Sequence, residues 1–179
     1  MVGKLIVFEG VEGAGKTTQI QATAEWLQSR DSDRQTVIIT REPGGSDVGQ
    51  SIRRLLLENT DSNVTNRTEL LLYAADRAQH IEEVILPQLD RGNIVLCDRF
   101  TDSTIAYQGY GRGIDLELID RVNELATGGF QSELTLWLDL DVTLGLERVA
   151  QRGQRDRMEQ ANLEFHQRVQ QGYKALADR

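Results

Sequence analysis

Gly10-Val11-Glu12-Gly13-Ala14-Gly15-Lys16-Thr17 fits the spacing G-x-x-x-x-G-K-[ST], the pattern of a loop that cradles phosphate. The chemistry requires these residue types. Glycines let the backbone turn until successive N–H groups point at phosphate oxygens, and a helix beginning at the loop adds its positive N-terminal end. Lys16 is then placed to reach the β and γ phosphates of a nucleotide, and the Thr17 hydroxyl to hold Mg²⁺. The surroundings agree, because the apolar run Leu5, Ile6, Val7, Phe8 reads as a strand before the loop and a helical run opens at Thr18. A glycine-rich turn that matches by chance has no reason to sit between those two. Nucleotide binding follows; the fate of the nucleotide does not.

Such a loop needs a sheet behind it. Short apolar, β-rich runs recur at Leu5 to Phe8, Thr36 to Thr40, Asn93 to Cys97 and Leu134 to Leu140, with helical patterns between them. That alternation predicts an α/β domain of the three-layer P-loop NTPase type, a central parallel sheet flanked by helices. The runs are nearly continuous, as in strands covered on both faces. Val48, Ile52, Leu55 and Leu56 keep helical spacing, as do Leu71, Ala74, Ala78, Ile81 and Ile85 behind an Asn66 cap with Glu69 three residues on. Further helices are expected over Ile114 to Thr127, stopped by Gly128-Gly129, over Thr143 to about Val149, and along the stripe Ala161, Phe165, Val169, Leu176. No linker, repeat or low-complexity tract divides residues 1–179, so one domain is expected. A P-loop domain of this kind usually carries a further strand and helix at the sheet edge, and a C-terminal piece is expected to be missing.

The 179 residues carry a formal charge of −8, with 20 Lys and Arg against 28 Asp and Glu. Binding a nucleic-acid backbone needs a broad basic surface, so this balance argues against it. A small anion remains compatible if arginines gather locally, and candidates are Arg41, Arg53, Arg54, Arg77, Arg99 and Arg112, with a cluster at Arg148, Arg152, Arg155 and Arg157. Cys97, the sole cysteine, excludes an intrachain disulfide and is expected to pack as a small apolar residue. Residues 1–4 run straight into the first strand and no apolar run is long enough to span a bilayer, so a cytoplasmic protein with no membrane partner is expected.

With the loop, five further motifs stand in order: Arg41-Glu42-Pro43-Gly44-Gly45, Tyr73-Ala74-Ala75-Asp76-Arg77, Asp98-Arg99-Phe100, Ala106-Tyr107-Gln108-Gly109, and Arg152-Gly153 leading to Asp156-Arg157. In this set the chain resembles the bacterial thymidylate kinases, which are P-loop nucleoside monophosphate kinases. The resemblance implies transfer of the γ-phosphoryl group of ATP to dTMP with Mg²⁺, giving ADP and dTDP, in a homodimer joined through the helices around Val48 to Leu57 and Leu70 to Leu89. Phosphoryl transfer is mostly positioning and charge stabilisation. The acceptor is itself a phosphate, mostly ionised at neutral pH because its second pKa is about 6, so no strong general base is needed.

The donor site is then the loop, Gly10, Val11, Glu12, Gly13, Ala14, Gly15, Lys16, Thr17 and Thr18, with Thr17 on the metal. Asp98, ending a strand beside the loop strand, could orient the water shell of Mg²⁺ or merely cap the next turn; Asp139 and Asp141 compete for the metal role. By resemblance Arg99 holds the acceptor phosphate with Arg53 beside it, Tyr73 stacks on thymine, and Arg77 hydrogen-bonds a base carbonyl. A spacing of four puts Tyr73 and Arg77 on one helix face. Read without the family, Tyr73 is a core residue and Arg77 a surface ion pair with Glu82 or Asp76. The resemblance sets Tyr107 against the sugar 2′ position, where a ring excludes ribose, and Thr104 and Gln108 near the base or sugar. It takes Glu12, an unusual acid beside a triphosphate, to the 3′-hydroxyl of dTMP.

In the same family the 148–160 segment is a lid over ATP. The loop itself carries no arginine, so the transition-state cation is expected from Arg152 or, failing that, Arg155 or Arg157. A tight turn motivates a cis peptide before Pro43, and His80 and His166, with no metal-ligand partner, are expected at the surface or the boundary of the core. Other small-acceptor P-loop kinases are competing readings, including one that uses Glu42 as a base on a nucleoside hydroxyl. A GTP-dependent switch is disfavoured by the lack of any Asn-Lys pair, and a degraded nucleotide binder by intact Lys16, Thr17, Asp98 and Arg99.

Overall fold

A computed structural model describes residues 2–30, 35–58, 64–153 and 156–178. Four strands, β1 (Lys4–Glu9), β2 (Val37–Arg41), β3 (Ile94–Asp98) and β4 (Leu134–Trp137), form one parallel sheet in the order β2-β3-β1-β4. The register pairs Phe8 with Asp98 and Asp98 with Arg41, which aligns the C-terminal ends of the first three strands. Ligands of open parallel sheets bind at that edge. Alternation along β1 feeds two cores. Leu5 and Val7 join Ile81, Ile85, Val95, Cys97 and Phe100 on one face, while Phe8 joins Ile20, Ala24 and Leu96 on the other. Cys97 is buried there, as expected.

The helices are α1 (Lys16–Arg30), α2 (Asp47–Arg53), α3 (Asn66–His80), α4 (Leu86–Asp90), α5 (Thr101–Thr104), α6 (Leu116–Thr127), α7 (Val142–Gln151) and α8 (Leu163–Ala177). Wider π-helical turns extend three of them, Arg54–Glu58 after α2, Ile81–Ile85 between α3 and α4, and Ile105–Gly111 after α5. The last lies flush against α8. A Cβ on Gly172 would come within 2.9 Å of the Ala106 backbone, so the missing side chain is what permits the approach. Gly128 ends α6 in the left-handed conformation, φ 61°, and Glu42–Pro43 is cis. No helix among the described residues is long and apolar enough to cross a membrane.

Several local expectations need correction. Thr65, not Asn66, caps α3, accepting from the Thr68 N–H. Glu69 is no capping partner, since its buried carboxylate is taken by Arg112, Arg157 and Gln108. The fourth strand stops at Trp137, three residues short of Leu140, and it is less buried than its apolar run implies because it forms the sheet edge among the described residues. His80 and His166 are fully buried instead of lying at the surface or the boundary. His80 bridges Thr40 Oγ1 (2.7 Å) and Glu42 Oε1 (3.0 Å). Val48, Leu55 and Leu71, counted as inward by spacing, are about half exposed, whereas Ile52, Leu56, Ile81 and Ile85 are buried.

Candidate active site

The loop leaves β1 with Gly10, Gly13 and Gly15 all at positive φ (147°, 72° and 94°), a path side chains would resist. Helix α1 opens at Lys16, so its unpaired N–H groups face the space the loop encloses. Lys16 is buried and its Nζ donates to the Gly10 and Val11 carbonyls at 3.1 and 3.2 Å, which holds the ammonium inside the loop's curl. Burial and neighbouring Arg99 lower its pKa, against the pull of Glu12 and Asp98.

Opposite stands Arg99, directly after β3. It is the one non-glycine residue at positive φ among those described, at 71°, and this turn sends its side chain back over the loop. Nη1 donates to Gly10 O (3.0 Å), Ser103 Oγ (3.2 Å) and the Tyr173 hydroxyl (3.0 Å), and Nη2 to Glu12 Oε1 (2.6 Å). The guanidinium also sits 4.9 Å from the centre of the Tyr107 ring. Glu12 accepts from the Tyr107 hydroxyl as well (2.9 Å). Burial resists its ionisation, but Arg99, Lys16 and that hydroxyl overcome it and hold its pKa at about 2.

One cavity of about 520 Å³ joins the two. The loop from Glu12 to Thr18 lines one side; Arg53, Tyr73, Arg77, Arg99, Thr104, Tyr107 and Gln108 line the other; and Arg148, Arg152, Asp156 and Glu159 border it. Gly10 and Val11 complete the loop beneath. Tyr73 and Arg77 do share a helix face. Arg77 is buried in a ring of acceptors rather than paired at the surface with Glu82 or Asp76: Nε donates to Glu42, Nη1 to Thr104 and Asn123, and Nη2 to the Phe100 carbonyl, each at 2.8 Å. Glu42 is thereby committed to Arg77 and His80. Arg53 Nη1 donates to Pro43 O at 2.9 Å.

The three candidate lid arginines separate. Arg152 borders the cavity, its side chain 62% exposed and 3.8 Å from Glu159, so it is free to reach inward. Arg157 turns away, donating to Leu56 O and Glu69 Oε2, both at 2.6 Å. Arg155 lies outside the described residues. Arg148 donates to Gly13 O at 3.3 Å.

Asp98 lines the cavity with Thr17, and its Oδ1 is buried with no hydrogen-bond partner. An orphaned carboxylate oxygen beside a phosphate loop suits a hard cation. Mg²⁺ typically takes one or two carboxylates and fills its remaining positions with water and phosphate oxygens. Asp139 and Asp141 are spent elsewhere, Asp141 capping α7 and Asp139 accepting from Gln170.

Three residues here escape sequence reasoning. Glu9 is fully buried at the end of β1, accepting from the Phe100 and Ser103 N–H groups, the Ser103 hydroxyl and the Tyr173 hydroxyl. Burial, against the pull of Arg99, raises its pKa to about 7. Ser103 and Tyr173 link it to Arg99. An acid inside an apolar strand was the available signal for Glu9; Tyr173, on α8, offered none.

The thymidylate kinase family model matches residues 8–179. The chain is 59% identical to a thymidylate kinase of Trichodesmium erythraeum, aligned over 99% of this chain and 84% of that one. Against a thymidylate kinase of Nostoc punctiforme it is 56% identical over 99% and 83%. The crystal structure of thymidylate kinase from Ehrlichia chaffeensis superposes with a TM-score of 0.79 at 37% identity, covering 99% of this chain and 82% of that one.

Proposed function

The chain belongs to the thymidylate kinase family, and from that premise we propose how its residues divide the work of moving the γ-phosphoryl group of ATP onto dTMP. The protein is an ATP-dependent kinase that converts dTMP to dTDP. The observation that carries the assignment of roles is Arg99, which spans from the loop carbonyl of Gly10 to a cavity shared by Lys16, Tyr73 and Arg77.

Residues 10–18 hold the ATP phosphates through backbone N–H groups and Lys16. Arg99 binds the acceptor phosphate, with Arg53 beside it. Arg99 is already braced by Ser103 and Tyr173, so little ordering is left for the moment of binding. Its ion pair with Glu12 is the contact to be exchanged: the dTMP phosphate takes the guanidinium, and the Glu12 carboxylate, still held by Tyr107, accepts from the 3′-hydroxyl. Tyr73 stacks on thymine, Arg77, Thr104 and Gln108 face its edge, and the Tyr107 ring fills the space of a 2′-hydroxyl. Arg152 supplies positive charge to the transferring group from the 148–160 lid. Asp98 and Thr17 would hold Mg²⁺, which would supply positive charge to offset that of the phosphate oxygens.

The acceptor arrives ionised, so the chain needs no general base, and Glu42, engaged by Arg77 and His80, is not placed to act as one. The exposed apolar side chains Val48, Leu55, Leu71 and Leu86 support a homodimer through the helices on either side of residues 59–63. The net charge of −8 argues against a nucleic-acid partner, and the arginines gathered at the cavity allow small anions; the protein is read as cytoplasmic.

The test is a coupled assay of ADP release with dTMP, dUMP, ribo-TMP, thymidine or no acceptor. Activity greatest on dTMP, weaker on dUMP and near background on the others is expected. Equal turnover of thymidine would overturn the acceptor-phosphate role of Arg99.

A further inference from the structure

Of the polar side chains that wall the cavity among the described residues, Gln108 is the one whose chemistry depends on which way round it sits. A carboxamide shows an acceptor on one side and donors on the other, and a half-turn exchanges them. Here the half-turn is blocked. Gln108 Nε2 donates to Glu69 Oε1 at 2.8 Å, with both residues fully buried. Burial works against ionisation of Glu69, yet hydrogen bonds from Arg112, Gln108 and Arg157 hold its pKa below the ordinary value. A carboxylate only accepts, so it takes the N–H side and would repel the carbonyl. The Gln108 carbonyl oxygen is left for the cavity that the residue lines.

Arg77 provides the complementary group. Its guanidinium has five N–H bonds, and those to Glu42, Thr104, Asn123 and Phe100 account for all but one, on Nη2. One fixed acceptor and, among the described residues, one spare donor lining the same cavity are the pair an imide edge requires, in which a ring N3–H stands next to a carbonyl at C4. It mismatches cytosine, where N3 accepts and the 4-amino group donates. Glu69, Tyr73 and Arg77 recur at intervals of four along α3, so the anchor, the stacking ring and the donor share one stripe of the helix.

Resting on the reading that the base lies against Gln108 and Arg77, we infer that Glu69 is a positioning residue that fixes the orientation of the Gln108 carboxamide and thereby selects imide bases over cytosine. A site built to hydrogen-bond a particular edge rejects the wrong one strongly, because its own buried groups are then left unpaired.

The experiment compares kcat/KM for dTMP and dCMP in the wild type, E69Q, Q108A and R112Q. Gln at position 69 can present either amide group, which frees Gln108 to turn over. Expected for E69Q is a KM for dTMP about tenfold higher with kcat within about threefold, and a dCMP to dTMP ratio about tenfold higher. R112Q removes a partner from the same carboxylate but leaves its bond to Gln108, so its ratio stays within about twofold; a merely structural Glu69 would make the two variants alike. The ratio within one preparation does not depend on the fraction folded. Should E69Q fail to fold, the wild type still decides. The Gln108 side-chain N–H signals, assigned by their loss in Q108A, are expected to exchange with water at least about tenfold more slowly than those of exposed glutamines, and rapid exchange would overturn the inference. An unchanged ratio in E69Q beside a raised one in Q108A sinks the role of Glu69 alone. An unchanged ratio in Q108A removes base reading at that residue and the inference with it, while a wild type inactive on dTMP would bring down the proposed function first.

Discussion

Replacing Glu9 by glutamine should flatten one component of the protein's pH-dependent stability. Glu9 is fully buried, and burial lifts its carboxyl from 4.5 to about 7. An acid that holds its proton more tightly folded than unfolded stabilises the fold fully below the unfolded value, and that contribution disappears as pH rises through the folded one. A span of about 2.5 pH units at about 1.36 kcal/mol each corresponds to about 3 kcal/mol. Glutamine keeps the shape and an acceptor oxygen for the Phe100 and Ser103 N–H groups but has no proton to lose. The assay is urea unfolding of both proteins at intervals from pH 5 to pH 8. The wild-type stability minus that of E9Q is expected to fall by about 2–3 kcal/mol across this range, and groups common to both proteins, Asp76 with its pKa near 6 among them, cancel in the difference. A difference constant to within about 0.5 kcal/mol would mean that Glu9 is ionised throughout, with the attraction of Arg99 outweighing desolvation.

Two further expectations follow from the site. R152A should lower kcat by about a hundredfold or more while the KM for dTMP moves less than about threefold, read by steady-state kinetics, because an arginine contributed to the transferring phosphoryl group acts in the transition state. Loss of less than a few-fold would move the role elsewhere in the segment. G13A should cost about 2 kcal/mol or more and weaken ATP binding, measured by thermal unfolding and calorimetry. Its Cβ would lie 2.3 Å from the Gly145 carbonyl at a residue with φ of 72°.

The parts of the site that were legible in the sequence are those whose geometry is local. The loop needs glycines at fixed spacing and a strand before it, and both are written in adjacent residues. Asp98 and Arg99 were legible because a strand end fixes where they emerge. The buried polar residues were not. His80 and His166 look like surface histidines to a pattern that counts only apolar neighbours, since the acid that holds His80 lies 38 residues away on another element. Glu69 stands where a capping partner would and is claimed by arginines far along the chain. Tyr173 reaches Glu9 across 164 residues. Helix spacing alone also could not tell that Val48 and Ile52, four apart on one face of Asp47–Arg53, differ in burial, because only tertiary packing covers Ile52 and leaves Val48 half exposed.

The backbones of the phosphate loop and α7 meet with nothing between them: a Cβ on Gly145 would fall 2.3 Å from Glu12 O, just as one on Gly13 would strike Gly145. Flush peptide planes leave no side-chain cushion to absorb a tilt, so α7 and the loop move as one rigid block. Arg152 caps α7 directly, so its backbone is carried with that block and only its exposed side chain can swing, while Gly153, with its φ of 96°, is where the segment after it can turn. If Arg152 serves the transferring group as proposed, its guanidinium must get there by side-chain rotation alone, over a floor that stays still.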